Sequence, residues 1–103
     1  MRKAKVYNYG TPAGELYEIK LNADYKFVYY DEYTGKPVSL TMPVGLKEFS
    51  FETFPPFFEG LLPEGIMLEN LIRSAKIDAD DLFSQLVYVG GDLVGSVTVE
   101  EIF

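Results

Sequence analysis

Carboxylates are the most numerous ionisable groups of this 103-residue chain, sixteen Asp and Glu against nine Lys and Arg, with no His and no Cys. Lacking imidazole and thiol, the chain has no histidine base, no thiolate nucleophile, no disulfide and no Cys/His zinc site. Ser39, Ser50, Ser74, Ser84 and Ser96 have neither His nor Lys beside them to activate a hydroxyl. Glu15, Glu18, Asp31, Glu32, Glu48, Glu52, Glu59 and Glu64 supply material for an acid–base pair, but no spacing selects two of them, and a solvated face is their ordinary fate. Asp78-x-Asp80-Asp81 opens like a calcium loop, yet the sixth place is Phe83 where that loop needs Gly. Gly90-Gly91-Asp92-Leu93-Val94-Gly95-Ser96 lacks the Gly-Lys-Ser/Thr ending of a phosphate loop and leads into a strand pattern. Gly35-Lys36 is followed by Pro37 and reads as a turn. The residues therefore imply no catalytic group, no metal and no cofactor.

The formal charge is −7 and the isoelectric point about 4.4. Nucleic-acid binding calls for a basic patch that displaces counterions from phosphate, and the basic residues here are scattered from Arg2 to Lys76. Direct nucleic-acid binding is not expected; docking on a basic protein face is. Met1-Arg2-Lys3 is not followed by an apolar signal core and no run approaches a membrane span, so a cytoplasmic, non-membrane location is expected. Hydrophobic residues make up 48% and aromatics 16%, enough for one domain over residues 1–103 with a well-covered sheet.

Short β patterns come first. Ala4–Tyr9 is closed by Gly10-Thr11-Pro12-Ala13-Gly14. In Glu15–Leu21, Tyr17, Ile19 and Leu21 alternate with Glu18 and Lys20, which predicts a half-buried strand with the former facing in. Tyr25, Phe27 and Tyr29 share a face. Pro37–Met42 predicts a fourth strand, with Val38, Leu40 and Met42 on one side. Pro55-Pro56 delays any helix, and a helical turn follows over Pro56–Leu62. Pro63 then opens a helix to about Ala75 with the stripe Leu68, Leu71, Ile72 and Ala75. Asp78 caps a further helix, Leu82, Phe83, Leu86 and Val87 form its buried face, and Gly90 ends it. A last strand, Leu93–Glu100, places Leu93, Val97 and Val99 on one face. Strands, then helices, then a returning strand is an α+β order: an antiparallel meander, a small barrel-like sheet, two helices and a C-terminal strand.

Phe57, Phe58, Leu61, Leu62, Ile66 and Met67 crowd around Gly60 and Gly65. Core packing is the plain account of Phe58 and Leu62. Ile66 resists it, since at 100° per residue it projects opposite Leu68. An apolar residue on the wrong side of a helix, beside a Met, is the mark of a protein-binding patch, though lone exposed Ile residues are also common.

Three segments carry a resemblance: Pro37-Val38-Ser39-Leu40-Thr41-Met42-Pro43, Phe57-Phe58-Glu59-Gly60-Leu61-Leu62-Pro63-Glu64-Gly65, and Gly90-Gly91-Asp92-Leu93-Val94-Gly95-Ser96-Val97. In this order they resemble the N-terminal subdomain of the HipA-type bacterial serine/threonine kinases, the toxins of HipAB-type toxin–antitoxin systems. In that family ATP binding and phosphotransfer lie downstream of this subdomain, and nothing of the kind follows Val99 here. With a Met opening the chain, the resemblance implies a separate gene product: the HipS-like small subunit of a split, three-gene HipBST-type system, acting as antitoxin to a shortened kinase. The implied partner is a HipA-type kinase core encoded by an adjacent gene, with a helix-turn-helix DNA-binding protein reached through the complex. Phe57, Glu59, Leu61, Ile66 and Met67 are the expected contacts, with Ile66 as anchor. The rival expectations are a subunit required for activity of a split kinase, and an N-terminal fragment of a longer kinase without an independent role.

Overall fold

The structure is a computed structural model describing residues 1–93 and 95–103. Three long strands open the chain: β1 (Arg2–Asn8), β2 (Thr11–Lys20) and β3 (Ala23–Tyr29). A 3₁₀ turn (Val44–Leu46) and a short strand β4 (Glu48–Phe51) follow. Helices α1 (Pro56–Glu59), α2 (Gly65–Ala75) and α3 (Leu82–Val89) come next, and β5 (Val97–Ile102) closes the chain. The strands form one sheet in the order β4-β3-β2-β1-β5, and each neighbouring pair is antiparallel. The expected α+β architecture is present, with the last strand returning beside the first. The β1–β2 hairpin turns at Tyr9 (φ 52°) and Gly10 (φ 79°), two consecutive positive φ angles whose twist matches that of the flanking strands.

One sheet face carries the core. Ala4 and Val6 of β1, Leu16 of β2, Tyr25, Phe27 and Tyr29 of β3, and Val97 and Val99 of β5 are all buried. Phe54, Phe58, Leu62, Phe83 and Leu86 cover them from the helical side. Phe27 is the aromatic hub, edge-on to Tyr29 at 4.8 Å between centroids and tilted against Phe58 at 5.7 Å.

Four sequence expectations are corrected. The alternation in β2 runs in the opposite phase: Leu16 and Glu18 face in, while Ile19 and Leu21 are exposed and Tyr17 is half-buried. A glutamate takes the inner position because its charge is met there. Arg2 Nε and Nη2 donate to its two carboxylate oxygens at 2.7 and 2.9 Å, and the Tyr25 hydroxyl donates at 3.1 Å.

The fourth strand is Glu48–Phe51, not Pro37–Met42. Between Pro37 and Pro43 the chain instead wraps the Tyr29 hydroxyl, which donates to the Met42 carbonyl at 2.5 Å and accepts from the Val38 amide at 3.0 Å. Val38 and Met42 are buried by this wrap, and Leu40 is thrown outward, 96% exposed.

The cap of α3 is Asp81 rather than Asp78. Its carboxylate accepts from the Ser84 amide at 3.1 Å, the N-cap bond. Asp78 lies in a turn held by Gln85 Nε2, which donates to the carbonyls of Asp78 and Ala79 at 3.0 and 3.1 Å.

The last strand begins at Val97, later than Leu93; Val97 and Val99 face in as expected, Leu93 is half-buried, and Val94 lies outside the described residues. Gly90 ends α3, but through close approach rather than a left-handed turn. A Cβ on it would fall 1.9 Å from the Val99 carbonyl oxygen, and the Val99 amide donates to the Gly90 carbonyl at 2.9 Å. Helix α3 is thereby fastened to β5.

Candidate protein-docking surface

Residues 53–67 form the link between sheet and helices, and the chemistry of the chain gives this link its shape. Pro55 is buried and Pro56 sits at the first position of α1, where a missing N–H costs nothing. One turn of helix follows, and its Gly60 amide bonds back to the Pro56 carbonyl at 3.0 Å. So short a helix can bury only one side. Phe58 is fully buried and Leu62 nearly so, as expected, while Glu59 is exposed and Phe57 and Leu61 are half-buried. The Phe57 ring meets Phe58 edge-on at 5.1 Å.

Gly65 (φ +60°) turns the chain into α2. Ile66 and Met67 occupy its first turn with 72% and 69% of their surface exposed. Ile66 therefore projects away from the protein body, as its helical phase requires. The stripe of α2 is itself incompletely covered: Leu71 is its one buried residue, and Leu68, Ile72 and Ala75 remain half-buried. Of the five expected contact residues, Glu59, Ile66 and Met67 lie open, whereas Phe57 and Leu61 each offer part of a side chain and lend the rest to the core.

Sequence reasoning missed a cleft beside this segment. Thr41, Met42, Glu48, Phe49, Ser50, Phe51, Pro56 and Phe57 line a volume of about 510 Å³ along β4. Placing the fourth strand at Pro37–Met42 hid it, because the cleft depends on Met42 and Phe51 belonging to different elements. The alternation of Phe49 and Phe51 with Glu48 and Ser50 was the available signal.

Electrostatics offer no poised acid or base among the carboxylates with a resolved shift. Glu15 is held below the ordinary glutamate range, first by the Tyr17 hydroxyl and then by the Tyr30 hydroxyl, each donating at 2.6 Å. Burial works against the charge on Asp81, but Arg2 and Ser84 more than offset it and its pKa is also lowered. Both changes run away from the neutral range that proton transfer needs. Among the described residues, no group of three or more Asp and Glu could hold a metal ion, and no helix is long and apolar enough to cross a membrane.

Comparison with known proteins gives this architecture a family. The model of the HipA N-terminal domain matches residues 4–100. An uncharacterized protein of Haemophilus influenzae is 33% identical over 101 residues, 98% of this chain and 93% of that protein. A solved structure, the N-terminal domain of HipA toxin, is 30% identical and superposes with a TM-score of 0.80, covering 100% of this chain and 94% of that one. The match lies on the N-terminal domain and not on a kinase catalytic domain. With its five-stranded antiparallel sheet, three helices and returning strand, this chain belongs to the HipA N-terminal domain family.

Proposed function

We propose that this protein is a non-catalytic binding module that docks on a HipA-type kinase core and neutralises it, as the antitoxin of a split toxin–antitoxin system. The observation that carries the reading is α2, an amphipathic helix that buries a single residue and presents Ile66 and Met67 to solvent. Large exposed apolar side chains beside a half-covered stripe are what a partner would cover. The Haemophilus influenzae relative supports a module with no kinase core attached, since the match takes up 93% of its length. The partner would be the kinase-like product of an adjacent gene, and a helix-turn-helix DNA-binding protein would be reached only through that complex. Phe57, Glu59, Leu61, Ile66 and Met67 are the proposed contacts, with Ile66 at the centre.

The test is co-expression with the adjacent kinase-like protein, scoring growth and co-purification together. Rescue of growth with a stable complex, both lost in Ile66→Asp, is the expected result. A stable complex that worsens growth would identify an activating subunit instead, and the absence of any complex would refute docking.

A further inference from the structure

The free edge of β4 is built to accept a strand. Tyr30 at the end of β3 donates its amide to the Ala13 carbonyl on the β2 side, and Tyr29 donates to the Lys47 carbonyl on the β4 side. Backbone groups alternate along a strand, so Phe27 and Tyr25 also point toward β4, where their partners are Phe49 and Phe51. The amides and carbonyls of Glu48 and Ser50 consequently face away from the sheet. Among the described residues they have no hydrogen-bond partner. Both residues are exposed, and the 510 Å³ cleft that they help to line runs along this edge, floored by Met42, Phe49, Phe51 and Phe57.

Charge narrows the occupant. Residues 48–72 carry Glu48, Glu52, Glu59, Glu64 and Glu69 and not one Lys, Arg or Asp. The net charge of −7 opposes pairing with a second copy of the same chain. We infer that β4 is extended by an extended segment of the kinase partner in which apolar and basic residues alternate. The apolar side chains enter the cleft, the basic ones lie on the Glu48 side of the sheet and share the Glu48 carboxylate with Lys26, whose Nζ lies 3.4 Å from it, and backbone bonds form to Glu48 and Ser50. The inference rests on the docking reading above and specifies its contact.

Hydrogen exchange of the complex with the co-expressed kinase, compared with the free protein, reads this directly. The Glu48 and Ser50 amides are expected to slow by about tenfold or more on complex formation. Ser50→Pro removes only an outward-facing N–H and is expected to weaken the complex by roughly tenfold, while Ser50→Ala leaves it unchanged. Should Ser50→Pro not fold, the exchange measurement on the unaltered protein decides alone. Unchanged exchange at both amides in a complex that does form overturns strand addition and leaves docking standing. Failure of the two chains to co-purify overturns docking, and this inference with it.

Discussion

Arg2 and Glu18 face each other across the β1–β2 ladder and close a two-point ion pair, Nε to Oε1 at 2.7 Å and Nη2 to Oε2 at 2.9 Å. The same guanidinium reaches Asp81 Oδ1 at 2.8 Å and Ser84 Oγ at 2.7 Å, and lies 4.9 Å from the centroid of Phe83. One side chain thus ties two strands to the N-terminus of α3.

Removing that side chain leaves the carboxylate of Glu18, only 2% exposed, without its cation and with the Tyr25 hydroxyl and Asn22 amide as its remaining donors. Arg2→Ala is expected to lower stability by roughly 3–5 kcal/mol, the cost of breaking rather than replacing a buried pair. Arg2→Lys restores charge but not the fork, and should recover only part of the loss. Urea denaturation with a common slope separates the three proteins.

This network and the separate cluster of Glu15 with Tyr17 and Tyr30 together set an acid limit. The folded pKa values of Asp81 and Glu15 lie below their ordinary values of 3.8 and 4.5. Their contribution to stability is therefore complete above those values and disappears as pH falls through the lower, folded ones. The urea midpoint should be nearly level from pH 7 to 5 as far as these two groups act, then drop below about 4.5. Asp81→Asn and Glu15→Gln should each make that drop shallower.

At the alkaline end the sign reverses. The Tyr17 phenol is pushed up to about 12, first by its bond to Glu15. Tyr25 is pushed up to about 12, chiefly by burial and then by the Glu18 charge. Stability from these neutral phenols is whole below the ordinary value of 10 and is lost as pH rises toward 12. Absorbance of phenolate at pH 11 should grow when Tyr17 is retained and Glu15 is replaced by Gln.

Gly90→Ala places a methyl on the Val99 carbonyl, and either α3 or β5 must retreat. A loss of about 3 kcal/mol, at the upper end for overpacking, is expected by thermal denaturation. Gly91→Ala is the control, since a Cβ there meets nothing within 4 Å.

Helix α2 allows a paired comparison. Ile66→Asp should alter stability by no more than about 0.5 kcal/mol, because the side chain already lies in water. Leu71→Ala, on the buried side of the same helix, should cost about 2–3 kcal/mol. An unfolded Ile66→Asp protein would show that Ile66 belongs to the core after all.

Much of this was legible in the residues. Tyr25, Phe27 and Tyr29 alternate with smaller or polar neighbours and declare their face, and the helical phase of Ile66 declared its exposure. Patterns failed where a polar group carried the structure. Glu18 looks solvated until Arg2, sixteen residues earlier, is brought beside it. The wrap of Pro37–Pro43 alternates like a strand, but the Tyr29 hydroxyl takes its backbone bonds. Asp78, Asp80 and Asp81 are equivalent as caps in sequence, and the bond from the Ser84 amide together with the Arg2 contact distinguishes Asp81. The five proposed contact residues rest on the phase of Ile66 and on the family resemblance.

The pairing of β5 with β1 joins Lys3 to Ile102, nearly the full length of the chain. During translation β1 leaves the ribosome well before β5 and must wait for residues 97–102 before its second edge is covered. Until then the backbone groups of Lys3, Lys5 and Tyr7 that face β5 lie on an unpaired strand edge beside an exposed apolar face. Folding of this domain thus waits for β5, and a nascent chain stalled before Val97 would be sticky rather than merely short.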